Sequence, residues 1–329
     1  MNSNKPFKTY RQQLAILRSR NLSIHNGSKA ISILRREGYY NIINGYKEIF
    51  LDSQATQQRN QDCYKPGTNF EQIYHLYDFD RKLRSDLIKY ILKMETNVKT
   101  RIAYAFSAHY KQNFSYLDIN NYDSSNPQRA TKLIARISAV ITNNSQKQTQ
   151  GGQIFHYLDK YKGLPLWVLI KKMTLGETFH FFETLDFSIK KEIVDELLLD
   201  FRREHKKSIS TQELNLTDQI VTMLKFINKF RNICAHDERL YNSIIKDQRN
   251  KILKFTHFHH KNAPVSSSHV FDCILVLGLF ITKRDYKSLV SQITSDIEDL
   301  GKRLPPNLLN QVLINMGFPK DWKKALILD

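Results

Sequence analysis

The long helical pattern in the first third of the chain constrains the fold more than any other feature. From Phe70 to about His109, apolar residues recur at steps of three or four, and no glycine or proline interrupts them. That spacing is the period of an amphipathic α-helix, and the segment is much longer than a usual globular helix. We therefore expect a central helix around which shorter helices pack.

Four charged residues lie inside this apolar stripe: Asp80, Arg84, Glu95 and Arg101. An unpaired charge is costly to bury, so each needs an explanation. We interpret them as members of i,i+4 ion pairs or as flank positions of the stripe.

The rest of the chain is also helical in pattern, with no segment of strand period and no internal repeat. Further helices are predicted at Tyr10–Ser19, Ser28–Glu37 with Ser28 as the N-cap, 127–142, 164–185 with a break near Gly176, 188–203, 217–241, 270–280, 286–300 and 307–317. The polar stretch 53–67 ends in Pro66-Gly67 and is predicted to be a loop. The sequence thus predicts an all-α fold. Residues 1–67 would form a helical and aromatic segment packed on a domain of residues 68–329, with a flexible loop at about 143–153.

Charge indicates the class of partner. Lysine and arginine total 50 against 32 aspartates and glutamates, which gives a formal net charge of +18. An excess of this size suits a polyanion, and nucleic acid is the commonest one. The alternative is a basic surface that serves solubility alone.

Other features exclude several classes of protein. Cys63, Cys234 and Cys273 are far apart in sequence and form no CxxC pair, which argues against a disulfide framework and a zinc site. The first residues lack an apolar signal segment, and no apolar run is long enough to cross a bilayer. We expect a soluble, cytoplasmic protein without a metal, cofactor or membrane partner.

The stretch FINKFRNICAHDERLYN, Phe226 to Asn242, carries the chemistry. On a helical wheel an apolar arc forms from Ile220, Met223, Leu224, Ile227, Phe230 and Cys234. The opposite side carries Lys225, Lys229, Asn232, His236 and Arg239, which are spaced to meet an anionic ligand. Arg231 falls inside the apolar arc.

Arg231 has two interpretations. It is either one half of a buried structural ion pair, or it points into a cleft formed where two such helices meet. On a straight helix Arg231 and His236 are about 140° apart, so they converge only on a distorted helix or in a composite site.

Together, an arginine, an asparagine and a histidine suffice for RNA cleavage without a metal. Histidine moves a proton near neutral pH, and arginine stabilises the extra negative charge of a pentacoordinate phosphate. In such a reaction the ribose 2′-OH attacks the adjacent phosphate and leaves a 2′,3′-cyclic phosphate and a 5′-OH.

At this point the chain resembles a known family. Arg231-Asn232-Ile233-Cys234-Ala235-His236 is similar to the R-N-x-x-x-H signature of HEPN ribonucleases, and the longer RNICAHDERLYN resembles the Abi-like, or abortive infection, family of bacterial anti-phage proteins. KPFKTYRQQLAILRSRNL, LRREGYYNIINGYKEIF, LYDFDRKLRSDLIKYILKMETNVKTRIAY, LPLWVLIKKMTLGETFHFF and MGFPKDWKKAL resemble other landmarks of that family. The resemblance covers roughly Lys5 to Leu326.

The resemblance implies a HEPN-type helical bundle with a helical N-terminal extension. It also implies a homodimer in which the two motif helices build one composite site, and a toxin that cleaves RNA as phage defence. Arg231 would hold the scissile phosphate, His236 would transfer the proton, and Asn232 would orient one of them. A small noncoding RNA restrains some members in toxin–antitoxin fashion.

Contacts to RNA are expected from Lys225, Lys229, Arg239 and Tyr241, although packing is the favoured role of Tyr241. Asp237 departs from the family, in which a second histidine follows the motif histidine in many members. Two rival hypotheses remain. The chain could be a non-catalytic RNA-binding protein, or a scaffold in which Arg231 only forms an ion pair.

Two further clusters carry weaker predictions. His257, His259 and His260 lack acidic or cysteine neighbours, so we expect an exposed loop and no metal site. The tyrosines 39, 40 and 46 lie beside basic residues and could stack on the bases of single-stranded RNA. The favoured role is instead to wedge, that is to pack, the N-terminal helices onto the bundle.

Overall fold

A computed structural model describes residues 6–145, 152–206, 216–245 and 268–328. Within these ranges the chain is helical and contains no named strand, only isolated bridges between Ser23 and Asn69 and between Leu51 and Tyr64. The all-α prediction is confirmed. The helices are α1 (Tyr10–Ser19), α2 (Gly27–Glu37), α3 (Ser53–Arg59), α4 (Phe70–His109), α5 (Pro127–Ser145), α6 (Gln153–Tyr161), α7 (Leu166–Leu169), α8 (Leu175–Thr184), α9 (Phe187–His205), α10 (Leu216–Ala235), α11 (Val270–Leu277), α12 (Lys283–Gly301), α13 (Pro306–Asn315) and α14 (Trp322–Ala325).

The central helix forms over the predicted residues. α4 begins with a capping box, in which the Asn69 side chain accepts from the Gln72 backbone N–H and the Gln72 side chain accepts from Asn69. These bonds satisfy backbone donors that a helix start leaves free. The apolar stripe of α4 is buried, and α9, α10 and α12 pack against it.

Charged residues in the α4 stripe are paired, but not all within the helix. Asp80 with Arg84, at 2.7 Å, and Glu95 with Lys99, at 2.5 Å, are i,i+4 ion pairs as predicted. Arg101 instead reaches across to Glu196 of α9, at 3.1 Å. Pairing accounts for the burial of these charges.

Several predicted boundaries differ from the structure. The N-cap of α2 is Asn26, whose side chain accepts from the Lys29 N–H, and not Ser28. Part of the predicted loop 53–67 is α3, because Asp52 caps a helix there through the Ala55 N–H. Similarly, the break in 164–185 falls before Thr174, which caps α8, and not at Gly176.

The N-terminal segment packs on the α4 core. Tyr46 is buried, and its ring lies against those of Tyr77 and Tyr241. Tyr40, by contrast, is 75% exposed. Burial of Tyr46 agrees with its predicted wedging role.

Some predictions fall outside the described residues. His257, His259 and His260 lie there, as does most of the predicted loop 143–153. None of the helices in the described ranges combines the length and the apolar composition of a membrane span.

Candidate functional site

The motif helix α10 places its apolar arc in the core. Ile220, Met223, Leu224, Ile227 and Phe230 are at most 2% exposed, and α4, α8, α9 and α11 pack around them. Cys234 is partly buried, and burial raises the pKa of its thiol to about 12. A thiol of this kind stays protonated at neutral pH, so it does not serve as a nucleophile.

α10 ends six residues earlier than predicted, at Ala235 and not at Tyr241. Asp237 adopts a left-handed conformation with φ of 56°, and the Glu238 N–H donates to the Ile233 carbonyl at 3.1 Å. These are features of a Schellman helix end, and aspartate tolerates the left-handed region better than most residues. The sequence suggested a longer helix because Leu240 and Tyr241 continue the apolar period.

His236 is therefore the C-cap of α10 and no longer a helical residue. Its backbone N–H still donates to the Asn232 carbonyl, at 2.9 Å, so the chain leaves the helix just after it. The side chain is exposed, as are the neighbouring Ala235, Asp237 and Glu238. No hydrogen bond or ion pair joins the His236 imidazole to another described residue, which leaves it open to a ligand.

Arg231 is partly buried and contacts its sequence neighbour. One guanidinium nitrogen lies 3.4 Å from the Asn232 Oδ1, and the Nε atom is buried without a hydrogen-bond partner. Across the described ranges no carboxylate lies within ion-pair distance of Arg231. The scaffold hypothesis, in which Arg231 forms a buried ion pair, therefore finds no partner there.

Among the three predicted catalytic residues, the structure brings Arg231 and Asn232 into side-chain contact. It shows no hydrogen bond between either of them and the His236 side chain. The predicted angular separation of Arg231 and His236 on one helix agrees with this arrangement.

Not all the predicted RNA-binding residues are available to a ligand. Lys225 pairs with Glu183 of α8 at 2.9 Å. Arg239 donates to the Gly45 carbonyl at 2.6 Å and pairs with Glu48 at 3.4 Å. Lys229 is exposed and forms no ion pair with any described residue, so its charge faces solvent.

Tyr241 is completely buried and stacks on Tyr46, with ring centroids 5.9 Å apart. It is a core residue in this structure, and its ring presents no face on which a base could stack.

A buried polar cluster lies beside the motif, and the sequence pattern alone does not connect it with the site. Asp80 of α4 accepts from the backbone N–H groups of Leu240, at 3.0 Å, and Tyr241, at 2.7 Å. Arg84 pairs with Asp237 at 2.5 Å. The charged residues inside the α4 stripe are the sequence signal for this cluster. Pairing at i,i+4 within α4 explains them, however, so the sequence does not indicate that they also bind the turn after α10.

The described residues near the motif do not form a set of metal ligands. No group of three or more histidine, cysteine, aspartate or glutamate side chains suited to a metal ion occurs among the described residues. The functional groups near the helix end are a guanidinium, an amide and an imidazole, which bind anions and move protons.

Comparison with known proteins gives one match. The family model described as Abi-like protein matches residues 32–242, which is more than half of the chain and ends just beyond the motif turn. No curated protein and no solved structure matches the chain. The chain therefore belongs to the Abi-like family, which associates it with abortive infection, a defence of bacteria against phage.

Proposed function

We propose that this Abi-like protein is a HEPN-type endoribonuclease toxin that cleaves RNA without a metal ion. The observation that carries the proposal is Arg231, a partly buried arginine whose Nε lacks a partner, beside Asn232 at an exposed helix end. A guanidinium in such surroundings is favoured only if a ligand completes its hydrogen bonds. A phosphate group does so with paired, charge-assisted hydrogen bonds.

Each residue has a role in the proposed reaction. The 2′-oxygen attacks the adjacent phosphorus, the bond from phosphorus to the 5′-oxygen breaks, and the products are a 2′,3′-cyclic phosphate and a 5′-OH. Arg231 stabilises the charge that develops on the phosphate, and Asn232 orients the guanidinium through its side-chain contact. His236 takes the proton from the 2′-OH or gives one to the 5′-oxygen.

The reaction needs both a proton acceptor and a proton donor, and one chain offers one motif histidine. A homodimer that joins two α10 ends brings two copies of His236 and Arg231 to one symmetric site. The exposed run from Ala235 to Glu238 leaves this end of α10 accessible to a second copy. A two-fold arrangement also overcomes the angular separation of Arg231 and His236 on one helix.

His236→Ala tests the assignment. Wild type and variant are incubated with total bacterial RNA in EDTA, and the fragment ends are mapped. We expect 5′-OH and cyclic-phosphate ends from wild type only. The matched control is His25→Ala, which removes another exposed histidine and should cleave like wild type.

Equal cleavage by wild type and His236→Ala would overturn the assignment. If neither cleaves but both bind RNA, the non-catalytic RNA-binding function replaces it. Because a copurified inhibitory RNA would give the same result, the proteins are first stripped of nucleic acid. Light scattering tests the dimer: an active protein that stays monomeric at assay concentration would exclude the composite site.

A further inference from the structure

Asp80 is the centre of a buried network that joins three separate parts of the chain. The carboxylate is fully buried and accepts from the Tyr46 hydroxyl at 2.7 Å and from Arg84 at 2.7 Å. It also accepts from the backbone N–H groups of Leu240 and Tyr241. A carboxylate has about four acceptor positions, so these four donors satisfy it.

Burial raises the pKa of the Asp80 carboxyl above its usual value, although the four donors act against that shift. A protonated carboxyl would carry a hydrogen with no acceptor in this arrangement, so the geometry fits the ionised form. Burial and the Asp80 charge raise the pKa of Tyr46, which keeps its hydroxyl protonated as a donor.

Arg84 extends the network to the residue after the motif histidine. Its guanidinium is 4% exposed and contacts Asp80, the Tyr46 hydroxyl at 3.3 Å, and Asp237 at 2.5 Å. Asp237 is the left-handed residue that ends α10. A buried guanidinium with two carboxylate partners is held much more firmly than a surface ion pair.

Residues 45–48 of the N-terminal segment also contact the turn 237–241. The Gly45 carbonyl accepts from Arg239, and Glu48 pairs with it. The Tyr46 ring stacks on Tyr241. Residues 45–48 and the α4 pair Asp80–Arg84 thus hold the turn 237–241 through both its backbone and its side chains.

The His236 side chain forms no hydrogen bond, ion pair or ring contact with another described residue, so no polar partner fixes where the imidazole lies and its backbone sets that position. That backbone is held on one side by α10 and on the other by the anchored turn. We propose that Tyr46, Asp80 and Arg84 are positioning residues for His236, acting through Asp237 and the turn. The inference rests on the proposed nuclease function. A catalytic group displaced by about 1 Å can lose about a hundredfold in rate.

Tyr46→Phe tests this with little risk to folding, because it removes one hydroxyl and keeps the ring stack. The matched control is Tyr116→Phe, which removes another buried hydroxyl that donates to the Leu164 carbonyl at 2.7 Å. We expect both variants to lower the melting temperature by a few degrees, with the larger drop in Tyr46→Phe because its hydroxyl bonds to two charged side chains. Only Tyr46→Phe should lower kcat, by about tenfold, with KM unchanged.

Asp237→Asn gives a second test with little risk to folding, since this side chain is 70% exposed. Asparagine tolerates the left-handed conformation but removes the charge that Arg84 holds. A reduced kcat is expected together with a melting temperature lowered by at most a few degrees, because the asparagine oxygen can still accept from Arg84. Asp195→Asn, which removes an exposed carboxylate that pairs with Lys191 of α9, should leave both quantities unchanged.

Hydrogen exchange separates this inference from the proposed function, because it needs no cleavage. The Leu240 and Tyr241 amides should exchange about fivefold faster in Tyr46→Phe than in Tyr116→Phe. Equal exchange in the two variants would overturn the positioning role, whether or not the protein cleaves RNA. Faster exchange with wild-type kcat would also overturn it, because the turn would then not matter for His236. Failure of the proposed function alone would instead appear as wild type and His236→Ala being equally inactive.

Discussion

Arg84 and Arg231 lie near the same end of α10, and their surroundings are opposite. Arg84 is almost completely buried and is satisfied by Asp80, Asp237 and the Tyr46 hydroxyl. Arg231 is partly buried; among the described residues its guanidinium is hydrogen-bonded only to the Asn232 side chain, and its Nε has no partner. Under the proposed function, a ligand completes the hydrogen bonds of this second guanidinium. The first arginine holds the structure, and the second is available for function.

The largest expected effect comes from removing the partner of the satisfied arginine. Asp80→Ala leaves the Arg84 guanidinium and two backbone N–H groups without their acceptor, so we expect a loss of about 3–5 kcal/mol in unfolding free energy. Chemical denaturation measures it. Asp78→Ala, which removes a more exposed carboxylate of α4 that pairs with Arg81, should cost at most about 1 kcal/mol. Similar losses in both variants would mean that the buried network contributes no more than a surface pair.

Arg231→Ala should affect cleavage strongly and stability little. Because no described carboxylate depends on Arg231, stability should stay within about 0.5 kcal/mol of wild type, while cleavage falls by about 10²–10³. The control is Arg101→Ala, which removes a guanidinium paired with Glu196 and should reduce stability but leave cleavage unchanged. A strongly destabilised Arg231→Ala protein would show that Arg231 has a structural role.

Asp86 of α4 shows another response to partial burial, because its carboxyl holds a proton to a higher pH than a free aspartate does. Burial and a hydrogen bond with Asp296 of α12 raise the pKa of Asp86 from 3.8 to about 6, although Lys82 and Lys89 oppose the shift. The folded protein therefore holds this proton to a higher pH than the unfolded chain does. As a result, the stability contribution is present below about pH 4 and is lost as pH rises through about 6.

Asp86→Asn should accordingly stabilise the protein by roughly 1 kcal/mol at pH 8, after allowance for solvent screening, and by nothing at pH 4. Denaturation at the two pH values measures the difference. Asp195→Asn on α9 should show no such gain. A destabilised Asp86→Asn protein at pH 8 would show that the Asp86 charge is favourable in the folded state.

The smallest effects concern two lysines of α10. Lys229 has no partner among the described residues, so Lys229→Ala should weaken RNA binding about two- to fivefold and reduce the salt dependence of log K by about one. Lys225→Ala should leave binding closer to wild type and cost up to about 1 kcal/mol of stability, because it breaks the pair with Glu183. Titration at several salt concentrations distinguishes the two. If Lys225→Ala weakened RNA binding more, the Glu183 pair would have to open when RNA binds.

Local patterns were sufficient for most helices. The α4 boundaries follow from the apolar period and the Asn69 cap, and the buried face of α10 follows from its wheel. The predicted loop 53–67 is wrong in part, because a single N-cap residue, Asp52, is enough to start the short helix α3. The end of α10 could not be predicted from its own pattern. The backbone N–H groups of Leu240 and Tyr241, which follow the helix, donate to Asp80, and Asp80 is far away in sequence.

By itself, the sequence determined that the chain is all-α, that α4 is its central helix, and that Arg231, Asn232 and His236 belong to one amphipathic segment. Only the tertiary structure decided which charges are satisfied. Lys225 and Arg239 look available on a wheel but are engaged by Glu183 and Glu48. The physical reason is that helical period depends on neighbouring residues, whereas the free energy of a charge depends on every group that folding brings within reach.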